Sequence, residues 1–278
     1  QNGDTVIELA SGSITISHCK FVSNNGSAFG TIHLSANPDT TSPSTLVTIG
    51  NCDFENNFAP FGAAVTLEYR PNRAVLIDNC SFRNNVALFG SGGAIYSDSV
   101  SFGVSHTVFD SNEASGNGGA IFSQVSDSNM LGKASVTIHN TTFSSNKAQG
   151  NGGAMAVLGG STLTLFNVVL SQNSLTPSVL SVVQYGAGVY IEGVLVANDV
   201  HFDSNNCSYG IGGGLAINSP NNVSVIQSSI FHTNICPSGS DIFVLSGDAI
   251  FIEVTLDGTG PGSMFQVFVD GTGNVLFQ

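Results

Sequence analysis

Apolar and polar positions alternate along this chain in short runs, and the runs recur. Seven residues before each of a series of aromatic positions stand Ile14, Val47, Val75, Phe102, Val136, Leu163 and Leu195, with Ser224 as the one break. Five before stand Ile16, Ile49, Ile77, Val104, Ile138, Leu165, Ala197 and Ile226. Polar residues separate the two columns, the period-2 mark of a half-buried strand. Two before the aromatic, the column is Cys19, Cys52, Cys80, Thr107, Thr141, Val168, Val200 and Ser229. That parity needs one extra residue, which predicts a bend between a first and a second strand.

The aromatic column itself reads Phe21, Phe54, Phe82, Phe109, Phe143, Leu170, Phe202 and Phe231, at intervals of 33, 28, 27, 34, 27, 32 and 29 residues. Three residues on, without exception, come Asn24, Asn57, Asn85, Asn112, Asn146, Asn173, Asn205 and Asn234. A third strand is predicted after this turn, on the aliphatic column Ile32, Val65, Ile95, Ile121, Met155, Val189, Leu215 and Ile242. Small residues two places earlier, such as Gly30, Ala63, Gly93 and Gly119, would leave room for a bulky side chain such as the Phe.

Three short strands in a repeat of about 30 residues cannot bury their own face, so the repeats must stack. Frequent Gly and Asn, with β-branched strand columns, exclude a helical repeat. The fold class expected is all-β: a right-handed parallel β-helix of eight to nine coils. At roughly 4.8 Å per coil the stack is on the order of 40 Å tall. The Asn column is expected to form an amide ladder from coil to coil. Residues 1–245 form the repeats, and 246–278 read as a degenerate last coil or cap of the same domain. Residues 3–9, "GDTVIEL", read as a third strand without its own Phe-x-x-Asn, so the chain is expected to begin mid-coil.

The two motifs, Phe-x-x-Asn and Gly-Gly-Ala-aliphatic, resemble the repeats of chlamydial polymorphic outer-membrane proteins, set in a pectin-lyase-like parallel β-helix. The resemblance spans residues 21–245. Gly-Gly-Ala is intact at Gly92-Gly93-Ala94, Gly118-Gly119-Ala120 and Gly152-Gly153-Ala154, and the barrel that ends those proteins is not expected within residues 1–278. The resemblance implies a surface or secreted setting, adhesion and host contact, and no shared catalytic site.

Composition narrows the partners. The formal charge is −13 with six Lys and Arg, which argues against nucleic acid and anionic membranes. No apolar run approaches a membrane helix of roughly 20 residues. Partners are expected to be the protein itself, as a homopolymer, or other surface proteins and glycans, outside the cell or at its surface.

Candidate chemistry is sparse. Cys207 and Cys236 follow the motif Asn by two residues on successive coils, close enough for a disulfide. Cys19, Cys52 and Cys80 form an inward column. They are either buried small side chains or one bridge, Cys19–Cys52 or Cys52–Cys80, with a thiol left over. No Cys-x-x-Cys pair exists, His18 and His106 lie three coils apart in one column, and no metal or cofactor is expected. Glu55, Arg83 and Asp110 occupy successive coils one place after the Phe and read as a solvated ion ladder. Arg70 and Arg73 read as loop decoration. The two "DGTG" stretches at 257–260 and 270–273 are turn signals, with weak support for calcium. Sequons at Asn25, Asn79, Asn140, Asn206 and Asn222 are no more frequent than chance, yet they mark the glycan sites expected in a eukaryotic source.

The leading expectation is an extracellular or cell-surface structural or adhesive protein, with filament or coat assembly included and no catalytic residue assigned. The alternative is a polysaccharide lyase or glycoside hydrolase of the pectin-lyase-like class, its cleft formed by inserts at 35–45, 68–74, 124–135 and 174–185. Ice or mineral binding is disfavoured, since a regular outward Thr ladder is lacking.

Overall fold

A computed structural model describes residues 5–36, 45–69, 73–126, 134–177, 183–208, 210–257, 267–270 and 274–278. Every described element is a strand, and every pairing is parallel to the residue one coil on. The first-strand column runs Ile14, Val47, Val75, Phe102, Val136, Leu163, Leu195 in continuous register. The third-strand column runs Ile32, Val65, Ile95, Ile121, Met155, Val189, Leu215, Ile242 in the same way. The result is a parallel β-solenoid of about eight turns. The central parts of the four inserts lie outside the described residues, as do Arg70 and most of both DGTG stretches.

The extra residue at the bend is held in the left-handed region. It is His18, Asn51, Asn79, His106, Asn140, Asn167, Asp199 or Ser228, with φ between 48° and 56°. Asn, Asp and His tolerate that region better than most residues, which explains the column's composition. A second left-handed residue precedes each motif Asn, for example Ser111 (φ 57°) and Ser145 (φ 56°). Two left-handed corners per coil thus flank the Phe strand.

Each corner needs its freed amides satisfied, and two side-chain ladders do this. At the bend, the amide of Cys80 donates to Thr107 Oγ1 at 3.2 Å, and Thr107 Oγ1 donates back to Ser105 O at 2.7 Å. The column therefore favours Ser, Thr or Cys, which can donate and accept at once. At the second corner each motif Asn donates Nδ2 to the Oδ1 of the next, from Asn24 through to Asn234, at 2.8–3.0 Å. The second Nδ2 proton goes to the carbonyl of the Phe one coil back, as from Asn112 to Phe82 O at 3.0 Å.

The ladder ends on a carboxylate. Asn234 Nδ2 donates to Asp241 Oδ1 at 2.9 Å, while Asp241 Oδ2 is buried without a hydrogen-bond partner among the described residues. Burial raises the Asp241 carboxyl above its ordinary value of 3.8. Its folded-state pKa exceeds the unfolded one, so stability falls as pH rises from near that ordinary value through the folded pKa. Asp241→Asn keeps an acceptor for Asn234 and removes the titration. It is expected to stabilise the protein near neutral pH, with the gain shrinking as pH falls toward the ordinary carboxyl value. Thermal unfolding of both proteins at two pH values measures this, and a pH-independent difference would refute the assignment.

The Gly-Gly-Ala motif has a different cause from the one its small size suggests. Gly118 sits at φ +64°, and a Cβ on Gly119 would lie 2.1 Å from Gly153 O of the next coil. The motif thus answers backbone approach between coils, not the volume of the Phe. Space for the ring is left instead one residue later: a Cβ on Gly214 would lie 2.9 Å from Phe231 Cδ1.

Inside, the rings stack face to face. Phe21, Phe54, Phe82, Phe109 and Phe143 follow at centroid spacings of 4.7–4.8 Å, and Phe202 and Phe231 at 4.4 Å. Two-residue strands after the Asn turn, such as Phe58–Ala59, Val86–Ala87 and Glu113–Ala114, form a separate five-stranded sheet. Outside the third strand, Phe122, Ala156, Tyr190, Ala216 and Phe243 form a second buried cluster, joined by Tyr96, Tyr185 and Phe268. Pairing continues past residue 245: Ile242–Ile252 aligns with the coil before it, and Asn274–Phe277 aligns with that strand in turn.

Candidate functional site

Where the third strand of one coil passes directly into the first strand of the next, long strands such as Met155–Ser171 and Val189–Asp203 turn the corner unbroken. In the earlier coils the inserts interrupt this edge. Beside it lies the outward face of the first strand, which carries few charges. Gly103 stands on it between Leu76 and Thr137 and has no side chain. The gap forms a depression of about 420 Å³, rimmed by Leu76, Ser101, Ser105, Ser135, Thr137 and His139. Arg73 is not loop decoration: it opens the strand Arg73–Asp78, is buried, and donates from Nη1 to Glu68 O at 3.3 Å.

A second feature sits beyond the Asn turn on two adjacent coils. Phe58 is 37% exposed, Phe61 40%, Leu88 42% and Phe89 82%. Ser115–Gly116 and Gln149–Gly150 follow the Asn turn at the matching places of the next coils, so the apolar corner is local. Phe61 lies over Gly90, where a Cβ would meet its ring at 2.1 Å, and is anchored by Tyr96 at a centroid distance of 5.4 Å. Sequence reading missed this corner. The residues fall inside the polar-looking stretch of the motif, and the signal available was three aromatics on neighbouring repeats.

Ionisable groups gather in pairs along outward columns. Glu55, Arg83 and Asp110 are in register, but the ion ladder expected of them does not form. Glu55 pairs with Lys20 at 3.3 Å, and Asp110 accepts from Ser144 Oγ at 2.7 Å. The same column brings Asp203, His232 and Asp257 together on the last coils. His232 Nδ1 donates to Asp203 Oδ1 at 2.8 Å and lies 3.8 Å from Asp257 through Nε2. Burial pushes the Asp203 carboxyl up, but hydrogen bonds from His232, Ser204 and Thr233 outweigh it and leave it below the usual range. The hydrogen bond to Asp203 raises His232 above 6.5. Sequence reading also missed His33, which is buried, stacked on Phe29 at 3.8 Å, and 3.0 Å from Glu68 Oε2.

The cysteines divide into two sets. Cys207 and Cys236 are joined as a disulfide with Cα atoms 4.9 Å apart. Cys19, Cys52 and Cys80 are free thiols in the bend ladder. Among the sequons, Asn25, Asn79 and Asn140 are exposed, while Asn206 and Asn222 are half-buried. Asn79 Nδ2 donates to Asn51 Oδ1 at 2.6 Å, and Asn140 Nδ2 to His106 Nε2 at 3.2 Å. His106 donates its Nδ1–H to Asp78 Oδ1 at 2.9 Å, which with Ser105 Oγ holds that carboxyl below its usual range. Among the described residues, no group of three or more His, Cys, Asp or Glu is arranged to hold a metal ion. No helix among them is long and apolar enough to cross a membrane.

No curated protein and no solved structure matches the chain. A family model does. The right-handed beta helix region matches residues 6–195, covering the stacked Phe and Asn columns and both left-handed corners of the first six motif repeats. The chain belongs to the right-handed β-helix family.

Proposed function

We propose that this protein is a structural or adhesive β-helix of the extracellular space or cell surface, making contact through its apolar corner. The observation that carries the reading is the exposure of Phe58, Phe61, Leu88 and Phe89 on adjacent coils. A cluster of exposed aromatic and aliphatic side chains on adjacent coils is a common mark of a contact surface. The stacked Phe and Asn ladders supply a rigid support for such a patch. The resemblance of the Phe-x-x-Asn and Gly-Gly-Ala repeats to those of polymorphic outer-membrane proteins supports the surface setting and host contact. Assembly with further copies, into a filament or coat, is part of the same reading. Glycans on the exposed sequons would fit it.

The test compares the native protein with Leu88→Ser/Phe89→Ser. Light scattering and electron microscopy across a concentration series read self-association, and retention on cell surfaces and immobilised glycans reads adhesion. The native protein is expected to associate or be retained, with a loss of tenfold or more in the variant and an unchanged melting temperature. A native protein that stays monomeric and is retained nowhere would overturn the reading.

One observation favours the second reading, a polysaccharide-cleaving enzyme. Asp203 and Asp257 flank His232 on one outward column, a pairing of carboxylate and imidazole suited to proton transfer. Cleavage of a polysaccharide panel by the native protein, lost in Asp203→Asn, is its test.

A further inference from the structure

The three free thiols stand one above another at the first bend, on successive coils. Lys20 pairs with Asp53, and Ser17 with Gly50, so Cys19 and Cys52 face each other across one coil step. The amide of Cys19 donates to Cys52 Sγ at 3.4 Å. Each thiol also donates within its own bend: Cys19 to Ser17 O at 3.3 Å, and Cys52 to Gly50 O at 3.1 Å. The column tolerates either sulfur or a hydroxyl there, as Thr107 and Ser229 show.

Two facts separate the three. Cys19 is partly exposed, while Cys52 is 2% and Cys80 4% exposed. Burial raises both inner thiols, Cys52 and, to about 12, Cys80, so Cys19 is the accessible first nucleophile of the three. Elsewhere in the same solenoid, Cys207 and Cys236 are likewise one coil apart, beside the bridge pair Asn206 and Ile235, and they are bonded with a Cα separation of 4.9 Å. A one-coil step in this backbone therefore accepts a disulfide.

We propose that Cys19 and Cys52 form a reactive thiol pair: Cys19 is the entry point for a disulfide-bearing oxidant, and Cys52 resolves the adduct into a Cys19–Cys52 bond. In the first step the Cys19 thiolate attacks a small-molecule disulfide. A Cys19 mixed disulfide forms, and one equivalent of the small thiol leaves. In the second step Cys52, after losing its proton to solvent, attacks Cys19 Sγ and expels the second equivalent. Two protein thiols are oxidised and one external disulfide is reduced to two thiols, so electrons and atoms balance. Cys80 stays reduced because its only thiol neighbour, Cys52, is consumed. The bond would staple the first two Phe-x-x-Asn coils as Cys207–Cys236 staples two late ones. This inference is independent of the adhesive reading.

The experiment incubates the full folded chain with glutathione disulfide. It then reads intact mass and maps linked peptides without reduction. The expected product has lost two hydrogens, carries a Cys19–Cys52 linked peptide, and melts several degrees higher than the reduced protein. Cys52→Ser, whose hydroxyl can still accept the Cys19 amide, is expected to stop at a stable glutathione adduct on Cys19, with no rise in melting temperature. Cys80→Ser is expected to behave as the native chain. Three outcomes would overturn the proposal: no reaction, a persistent Cys19 adduct in the native protein, or a bond that includes Cys80. Should Cys52→Ser fail to fold, the linked peptide in the native chain and in Cys80→Ser decides alone.

Discussion

Asn146→Ala is expected to destabilise the protein by about 5 kcal/mol. Asn146 is fully buried, and its side chain makes four hydrogen bonds. Its Oδ1 accepts from Asn112 N and Asn112 Nδ2, both at 3.0 Å. Its Nδ2 donates to Phe109 O at 3.0 Å and Asn173 Oδ1 at 2.9 Å. Alanine strips the side-chain partner from Asn112 N, Asn112 Nδ2 and Phe109 O inside a dry stack, each carrying a desolvation cost of about 1–3 kcal/mol when unpaired, while Asn173 Oδ1 keeps the backbone amide of residue 146 at 3.0 Å. Some recover by local shifts, so the total falls below the sum. Asn146→Asp is expected to be at least as damaging: it retains the acceptor but sets a carboxylate against Phe109 O and Asn173 Oδ1. Asn24→Ala is the control. Asn24 is half-buried at the start of the ladder and donates to Asn57 without accepting from a described motif Asn before it, so about 1 kcal/mol is expected. Urea unfolding measures all three, and equal costs at Asn146 and Asn24 would show that the ladder is decoration.

The same residues explain what could be read without a structure. Period-2 columns and invariant Phe-x-x-Asn spacing define the strands and their register, because one coil's apolar face must meet the next. Left-handed corners were legible only as a parity shift. The bend column is polar at Asn51, Asn79 and Asn140, and only the backbone shows why Asn is there: φ near 50°. Phe122, Tyr190 and Phe243 point outward by alternation, and alternation alone assigns them to solvent. They are buried because they pack on one another and on Tyr96, Tyr185 and Ile211, a tertiary effect without a local signal. The two-residue strands carry too few side chains to show a period. The candidate sites were harder still. Charges at Glu55 and Arg83 suggested pairing from register, but side-chain reach sends Glu55 to Lys20. The apolar corner at Phe89 depends on which turn residues fail to be covered, and that is a property of the whole solenoid.

The second large effect lies in the ring stack. Phe143→Ala is expected to cost about 4 kcal/mol, from lost apolar burial plus the cavity left between two coils. Phe143 is fully buried, stacks on Phe109 at 4.7 Å with planes 2° apart, and faces Leu170 on its other side. Leu170 shows that the column accepts an aliphatic side chain without exposure. Phe143→Leu is therefore expected to cost only about 1.5 kcal/mol, since volume is mostly kept and only the ring contact with Phe109 is lost. The difference between the two substitutions separates filling from stacking. A coil contacts only its neighbours, so the damage should also be local. Hydrogen exchange in Phe143→Ala is expected to quicken at the amides of Thr142 and Lys147, which pair with the coil before, while those near Ile49 stay protected. A uniform loss of protection along the whole solenoid would mean that the coils unfold as one unit, and that the stack transmits strain rather than confining it.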